Sequence, residues 1–151
     1  MQNIINTLAD STTADTSHGS TLRFQHVEGA WAQEDLEDVR SPTRKFMISP
    51  TGARSLIGFL GQESEMTSVE QVFDLSVAYK QGRSAFQLMQ VIAEDVDQIG
   101  RMLMKTAHFD ASNTGLERRR VESYSISFDE TSGGTALLTI PIVCRYTPAY
   151  S

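Results

Sequence analysis

Ala136-Leu137-Leu138-Thr139-Ile140-Pro141-Ile142-Val143-Cys144-Arg145-Tyr146 decides how the rest of the chain is read. Ala136, Leu138, Ile140, Ile142, Cys144 and Tyr146 recur at every second position. That period places them on one face of a β-strand, because successive side chains of an extended chain point to opposite sides. Pro141 falls on the other face and lacks an N–H, which points to an edge position or a bulge. Just upstream, Asp129 to Gly134 ends in paired glycines and reads as a hairpin turn. On its far side, Arg118, Arg120, Glu122, Tyr124, Ile126 and Phe128 are expected to share one strand face, with Val121, Ser123, Ser125 and Ser127 on the other. The last third is thus read as a hairpin.

Working back, residues 69–79 show the same period of two, with Val69, Phe73, Leu75, Val77 and Tyr79 on the apolar side and Gln71 interrupting it. Residues 44–49 (Arg44-Lys45-Phe46-Met47-Ile48-Ser49) read as a partner strand closed by Pro50 and Gly52. Residues 55–60 fit a strand, a helical turn or a loop equally well. After Gln81-Gly82 the period changes to that of a helix: Ala85, Leu88, Met89, Ile92, Val96, Ile99 and Leu103 follow i, i+3, i+4, i+7 spacing. Ser84 is a candidate N-cap, and Asn113-Thr114-Gly115 a stop. Gln87, Gln90, Glu94, Asp97 and Arg101 form the polar side. Near the start, Ile4, Ile5 and Leu8 have the spacing of a short N-terminal helix.

The expected fold is therefore α+β: a single, mainly antiparallel sheet of two hairpin-like pairs, with one long helix packed across it and a short N-terminal helix. The 151 residues fit one domain (1–151), in which 44–146 form the α+β core and 9–43 a polar, acidic extended segment or loop. Residues 1–40 hold seven acids against Arg23 and Arg40, whereas 41–61 hold Arg44, Lys45 and Arg54 and no acid. The formal net charge of −6 argues against a grip on nucleic acid by phosphate neutralisation. Hydrophobic residues make up 40% of the chain, without the run of about 20 apolar residues that a membrane-spanning helix needs. The start, Met1-Gln2-Asn3-Ile4-Ile5-Asn6, does not read as a signal peptide. A soluble, intracellular protein is expected.

Signals for catalysis are weak. His18, His26 and His108 are scattered, so no metal site is expected, since zinc needs three or four converging ligands. Cys144, the single cysteine, sits on an apolar strand face and reads as an inert buried thiol. Gly52-Ala53-Arg54-Ser55 lacks the ending of a phosphate-binding loop. Glu94, Asp95 and Asp97 read as a solvated helix face, because neighbours one or two apart diverge around a helix. No catalytic residue, metal or cofactor is expected.

Interaction signals are stronger. Arg118-Arg119-Arg120 is the one basic run; it is either a solvated strand start or a salt-bridged contact with an acidic patch of an identical neighbour. Glu34, Asp35, Glu37 and Asp38 supply such a patch. Trp31 and Phe24 lie in the same acidic region, where they either staple it to the core or meet a partner. The candidate interface is Arg118, Arg119, Arg120, Glu34, Asp35, Glu37, Asp38 and Trp31, with Asp129 and Glu130 of the turn.

In the order of its elements the chain resembles the tail terminator (tail completion) proteins of long-tailed bacteriophages. The resemblance rests on Arg44-Lys45-Phe46-Met47-Ile48, the strand ending in Tyr79-Lys80, the helix over 85–104, and the hairpin Tyr124-Ser125-Ile126-Ser127-Phe128-Asp129 with 136–146. It covers about two-thirds of the chain, 44–146. It implies a structural virion protein at the head–tail junction, found in the host cytoplasm during assembly. Such a protein forms a homohexameric ring on the last ring of the tail tube, stops tube polymerisation and offers a surface to the head connector. Its partners would be its own copies, the tail tube protein and the head connector or neck protein, with DNA as passing cargo and no membrane. The alternatives are another neck or tail-tube component (a head-closure or connector protein) or a small intracellular binding or adaptor domain.

Overall fold

The computed structural model describes residues 4–5, 23–28, 37–38, 43–56, 68–80, 85–104, 116–129 and 135–146. Its elements are β1 (Arg23–His26), β2 (Glu37–Asp38), β3 (Thr43–Leu56), β4 (Ser68–Lys80), α1 (Ala85–Met104), β5 (Leu116–Val121), β6 (Ser125–Asp129) and β7 (Thr135–Tyr146). All seven strands join one sheet in the order β1-β3-β4-β7-β5, with β2 also on β4 and β6 also on β7.

The centre is β4 against β7, antiparallel from Val69↔Tyr146 to Lys80↔Thr135 without a register shift. Ala136, Leu138, Ile140, Ile142 and Cys144 are buried on one face, beside Phe73, Leu75, Val77 and Tyr79. Phe24, Phe46, Ile4 and Ile5 join the same core, as do Leu88, Ile92, Ile99, Met102 and Leu103 of α1. Each fully buried side chain of this size contributes about 1.5–3 kcal/mol, which is what holds a strand as long as β7 in place.

The expected architecture is corrected in several respects. A single, mainly antiparallel sheet of two hairpin-like pairs, with a long helix packed across it and a short N-terminal helix, is not the architecture of the described residues. The described residues are dominated by a mixed sheet accompanied by one helix. β1 runs parallel to β3 (Arg23↔Thr43 to His26↔Phe46) and β2 parallel to β4 (Glu37↔Tyr79, Asp38↔Lys80). Four-residue and two-residue strands are too short for a period of two to show in the sequence. Of the expected N-terminal helix, only Ile4 and Ile5 lie within the described residues; both are helical and buried.

β3 also runs further than Pro50 suggests. It continues to Leu56 through a register shift between Pro50 and Gly52. One extra residue is absorbed there as a bulge, and pairing with β4 resumes at Gly52↔Val72. Strand thus replaces the open choice at Ser55 and Leu56, while 57–60 fall outside the described residues.

The expected common face from Arg118 to Phe128 is broken in the same way. Val121 pairs with Ile142 and Ser125 with Thr139, so four steps on one strand match three on the other. The Glu122 N–H donates to the Pro141 carbonyl at 2.9 Å within this bulge. Before it, Arg119 and Val121 stand opposite Cys144 and Ile142, on the core face of β7; after it, Ile126 and Phe128 stand opposite Leu138 and Ala136, on that same face. Arg120 and Glu122 belong to the second face. The inserted residue therefore keeps apolar side chains on the core side along an edge whose strict alternation would have moved them away.

Truncating the sheet centre tests this account. Ile140→Ala is expected to lower the unfolding free energy by about 2–5 kcal/mol, read by urea denaturation, whereas Ser127→Ala on the exposed side of β6 changes it by less than about 0.5 kcal/mol.

Candidate functional site

The helical period brings two polar groups into the core. α1 buries Leu88, Ile92, Asp95, Gln98, Ile99, Met102 and Leu103, while Ala85 and Met89, expected on its apolar face, are exposed. Asp95, expected on a solvated face, is 2% exposed. Its Oδ2 accepts from Arg44 Nε at 2.8 Å and from the Tyr79 hydroxyl at 2.5 Å. The Arg44 guanidinium lies 5.4 Å from the centre of the Tyr79 ring. A helix and two neighbouring strands inside the sheet, β3 and β4, are thereby joined through one carboxylate.

Burial pushes the Asp95 carboxyl above its ordinary value, outweighing the Arg44 charge and the Tyr79 hydrogen bond that pull it down. Tyr79 is raised as well, by burial first and by the Asp95 charge second. Charges in such a place are costly unless paired and hydrogen-bonded. Buried between helix and sheet, the group ties α1 to β3 and β4. Cys144 is buried, and burial raises its thiol above the usual range, which leaves it a poor nucleophile.

The three arginines of the basic run have separate tasks. Arg119 Nε and Nη2 donate to the carbonyls of Leu103 and Met104 at 2.6 and 2.9 Å. Those carbonyls belong to the last turn of α1, where no intrahelical N–H reaches them and the helix dipole favours a cation. Arg119, one of the candidate interface residues, caps the C-terminal end of the helix. Arg120 is exposed on the second face, where its Nε donates to Glu122 Oε1 at 2.8 Å and its Nη2 lies 3.5 Å from Glu70 Oε1. Arg118 pairs with Arg145 in the β5–β7 ladder.

Arg120, Glu122 and Glu70 border an open trough of about 500 Å³ on the second face of the sheet, floored by Val72, Pro141 and Val143. Of the acidic candidates, Glu37 and Asp38 form β2, at the far end of β4 from Glu70. Asp129 pairs with Thr135. Trp31, Glu34, Asp35 and Glu130 lie outside the described residues.

The structure thus brings Arg118 and Arg120 to one end of the sheet and separates them from Glu37, Asp38 and Asp129. It adds Glu70, Arg145 and Arg54, which stands in register with Glu70. These residues are legible as charged strand positions, but their meeting depends on strand order. Compared with known proteins, the chain matches no family model and no curated protein.

Two outcomes are expected. A group whose folded pKa is raised favours the folded state most below its unfolded value, and that contribution is lost as pH rises through the folded value. Relative to Asp95→Asn, the wild-type chain should lose stability as pH rises above 3.8, the ordinary aspartate value, a trend measured by denaturation at several pH values. Arg119→Ala, which uncaps α1, should cost about 1.5–3 kcal/mol in the same assay.

Proposed function

We propose that this chain is the structural subunit of a homo-oligomeric ring at the head–tail junction of a long-tailed bacteriophage. The ring caps the tail tube, stops its growth and presents a surface to the head connector. Support comes first from the resemblance of the strand–helix–hairpin order over 44–146, and then from the character of the outer surface. Phe86 is 79% exposed on α1, Tyr124 43% exposed between β5 and β6, and Phe128 49% exposed on β6. Apolar side chains left in water on a helix and on a strand edge mark surfaces that other chains cover.

That edge is the observation that carries the reading. Among the described residues, no strand pairs with the outer side of β5 and β6, and on the opposite side β1 ends the sheet. Two unlike edges on one subunit suit a heterologous, head-to-tail contact, which closes into a ring when the rotation between copies permits. The tail tube protein and the head connector are then the axial partners, and DNA passes through without a dedicated grip, in keeping with the net charge of −6.

Sedimentation velocity and electron microscopy of the full chain, alone and with tail tubes, test this reading. Rings of uniform size at tube ends, and tubes that stop lengthening when the protein is added, are the expected result. Monomers that never attach to tubes would overturn it.

A further inference from the structure

Ile4 is anchored far from the strand that follows it in the chain. It is 1% exposed and, with Ile5, belongs to the buried core. It lines a small pocket with Leu103 and Met104 at the end of α1, Val121 of β5, and Ile142 and Cys144 of β7. The other described lining residues all belong to α1, β5 and β7, so Ile4 is the one that arrives from elsewhere in the chain.

The pocket and the next strand lie on opposite sides of the sheet. β5 ends the strand order on the pocket side, and β1 ends it on the other. Four strand spacings separate them, about 19 Å of sheet at about 4.8 Å each. Residues 6–22 connect Ile5 to β1 and reach at most about 60 Å when extended. A pocket on the same subunit and a pocket on an adjacent one are therefore both within the length of the chain.

We infer that in the assembled ring Ile4 and Ile5 of each subunit seat in this pocket of the neighbouring copy, so that the N-terminal anchors are exchanged around the ring. The inference rests on the ring reading above and names the residues that one copy contributes to the next. Where the β1 edge of one subunit meets the β5–β6 edge of the next, the pocket across the junction is the neighbour's. Reaching it does not require crossing the sheet, whereas the subunit's own pocket lies beyond the far edge. A connection of fixed length loses less entropy when its ends are closer together. The contacts of Ile4 and Ile5 are the same in either arrangement. Exchange thus gives up no burial and adds theirs to the contact between copies. A second copy is the occupant because the segment that fits the pocket is already part of every chain.

Cysteine pairing distinguishes the two arrangements, since Cys144 is the single native cysteine. Met104 borders the pocket and is 62% exposed, which makes it the second position. Ile4→Cys/Met104→Cys, in a chain that also carries Cys144→Ala, is assembled at tube ends, oxidised with copper phenanthroline and run on a non-reducing gel. The expected result is a ladder of interchain products up to the size of the ring. Ile4→Cys and Met104→Cys placed on separate chains should give dimers when assembled together and none from either alone. Ile4→Cys with the native Cys144 retained supplies a second pair if loss of the buried thiol impairs folding, which circular dichroism melts check.

Assembled rings in which oxidation joins the two positions only within one chain, or joins no chains to each other, would overturn the exchange while leaving the ring intact. A wild-type chain that stays monomeric, with tubes and without, would end both.

Discussion

The unbroken antiparallel pairing of Val69–Lys80 with Thr135–Tyr146 is the constraint on which the rest of the molecule depends. A slip of one residue would carry Leu138, Ile140 and Ile142 from the core face to the second face together. That register is held because both strands alternate and both bury one face. Once it is fixed, each neighbouring strand has only local freedom, and two of them use it. β3 absorbs an extra residue after Pro50, and the edge formed by β5 and β6 absorbs another near Glu122. Bulges at these places adjust the outer strands without disturbing the centre.

The alternation of β4 and β7, and the helix over 85–104, are legible because their burial follows the geometry of a single element. What was not legible depends on partners. Asp95 reads as a surface acid until Arg44, 51 residues earlier, meets it. Arg119 reads like its neighbours until the end of α1 is found beside it. The parallel strands β1 and β2 are too short to announce a period. The bulge at Glu122 changes no composition, yet it reverses which side chains share a face. The charged strand residues are visible one by one, but their meeting exists only in the strand order.

The Arg44–Asp95–Tyr79 group explains why α1 keeps one position against a core that is mostly apolar. Apolar contacts are non-directional and tolerate sliding. A carboxylate that must accept from both Arg44 and Tyr79 does not, because a displaced helix would leave a buried charge unpaired at a cost of about 3–5 kcal/mol. Desolvation makes the group a weak source of net stability. Its value lies in the alternatives it penalises. Arg119 extends the same logic to the other end of the helix, fixing the last turn of α1 to the edge strand through two charge-assisted hydrogen bonds.

That fixation has a consequence for the surface. The edge strand carries Arg120 on its second face and Arg119 on its core face, so the cap on α1 and the charged cluster are adjacent residues of one strand. The end of α1 is therefore tied to the same strand that carries Arg120 and its Glu122 partner. Charged side chains on a mobile strand lose their attraction to the entropy of ordering. The Arg119 cap and the pairing of β5 with β7 restrict the backbone of that strand. In the proposed ring, a restrained edge of this kind would give the contact between copies a direction, and direction is what distinguishes a closing ring from indiscriminate association.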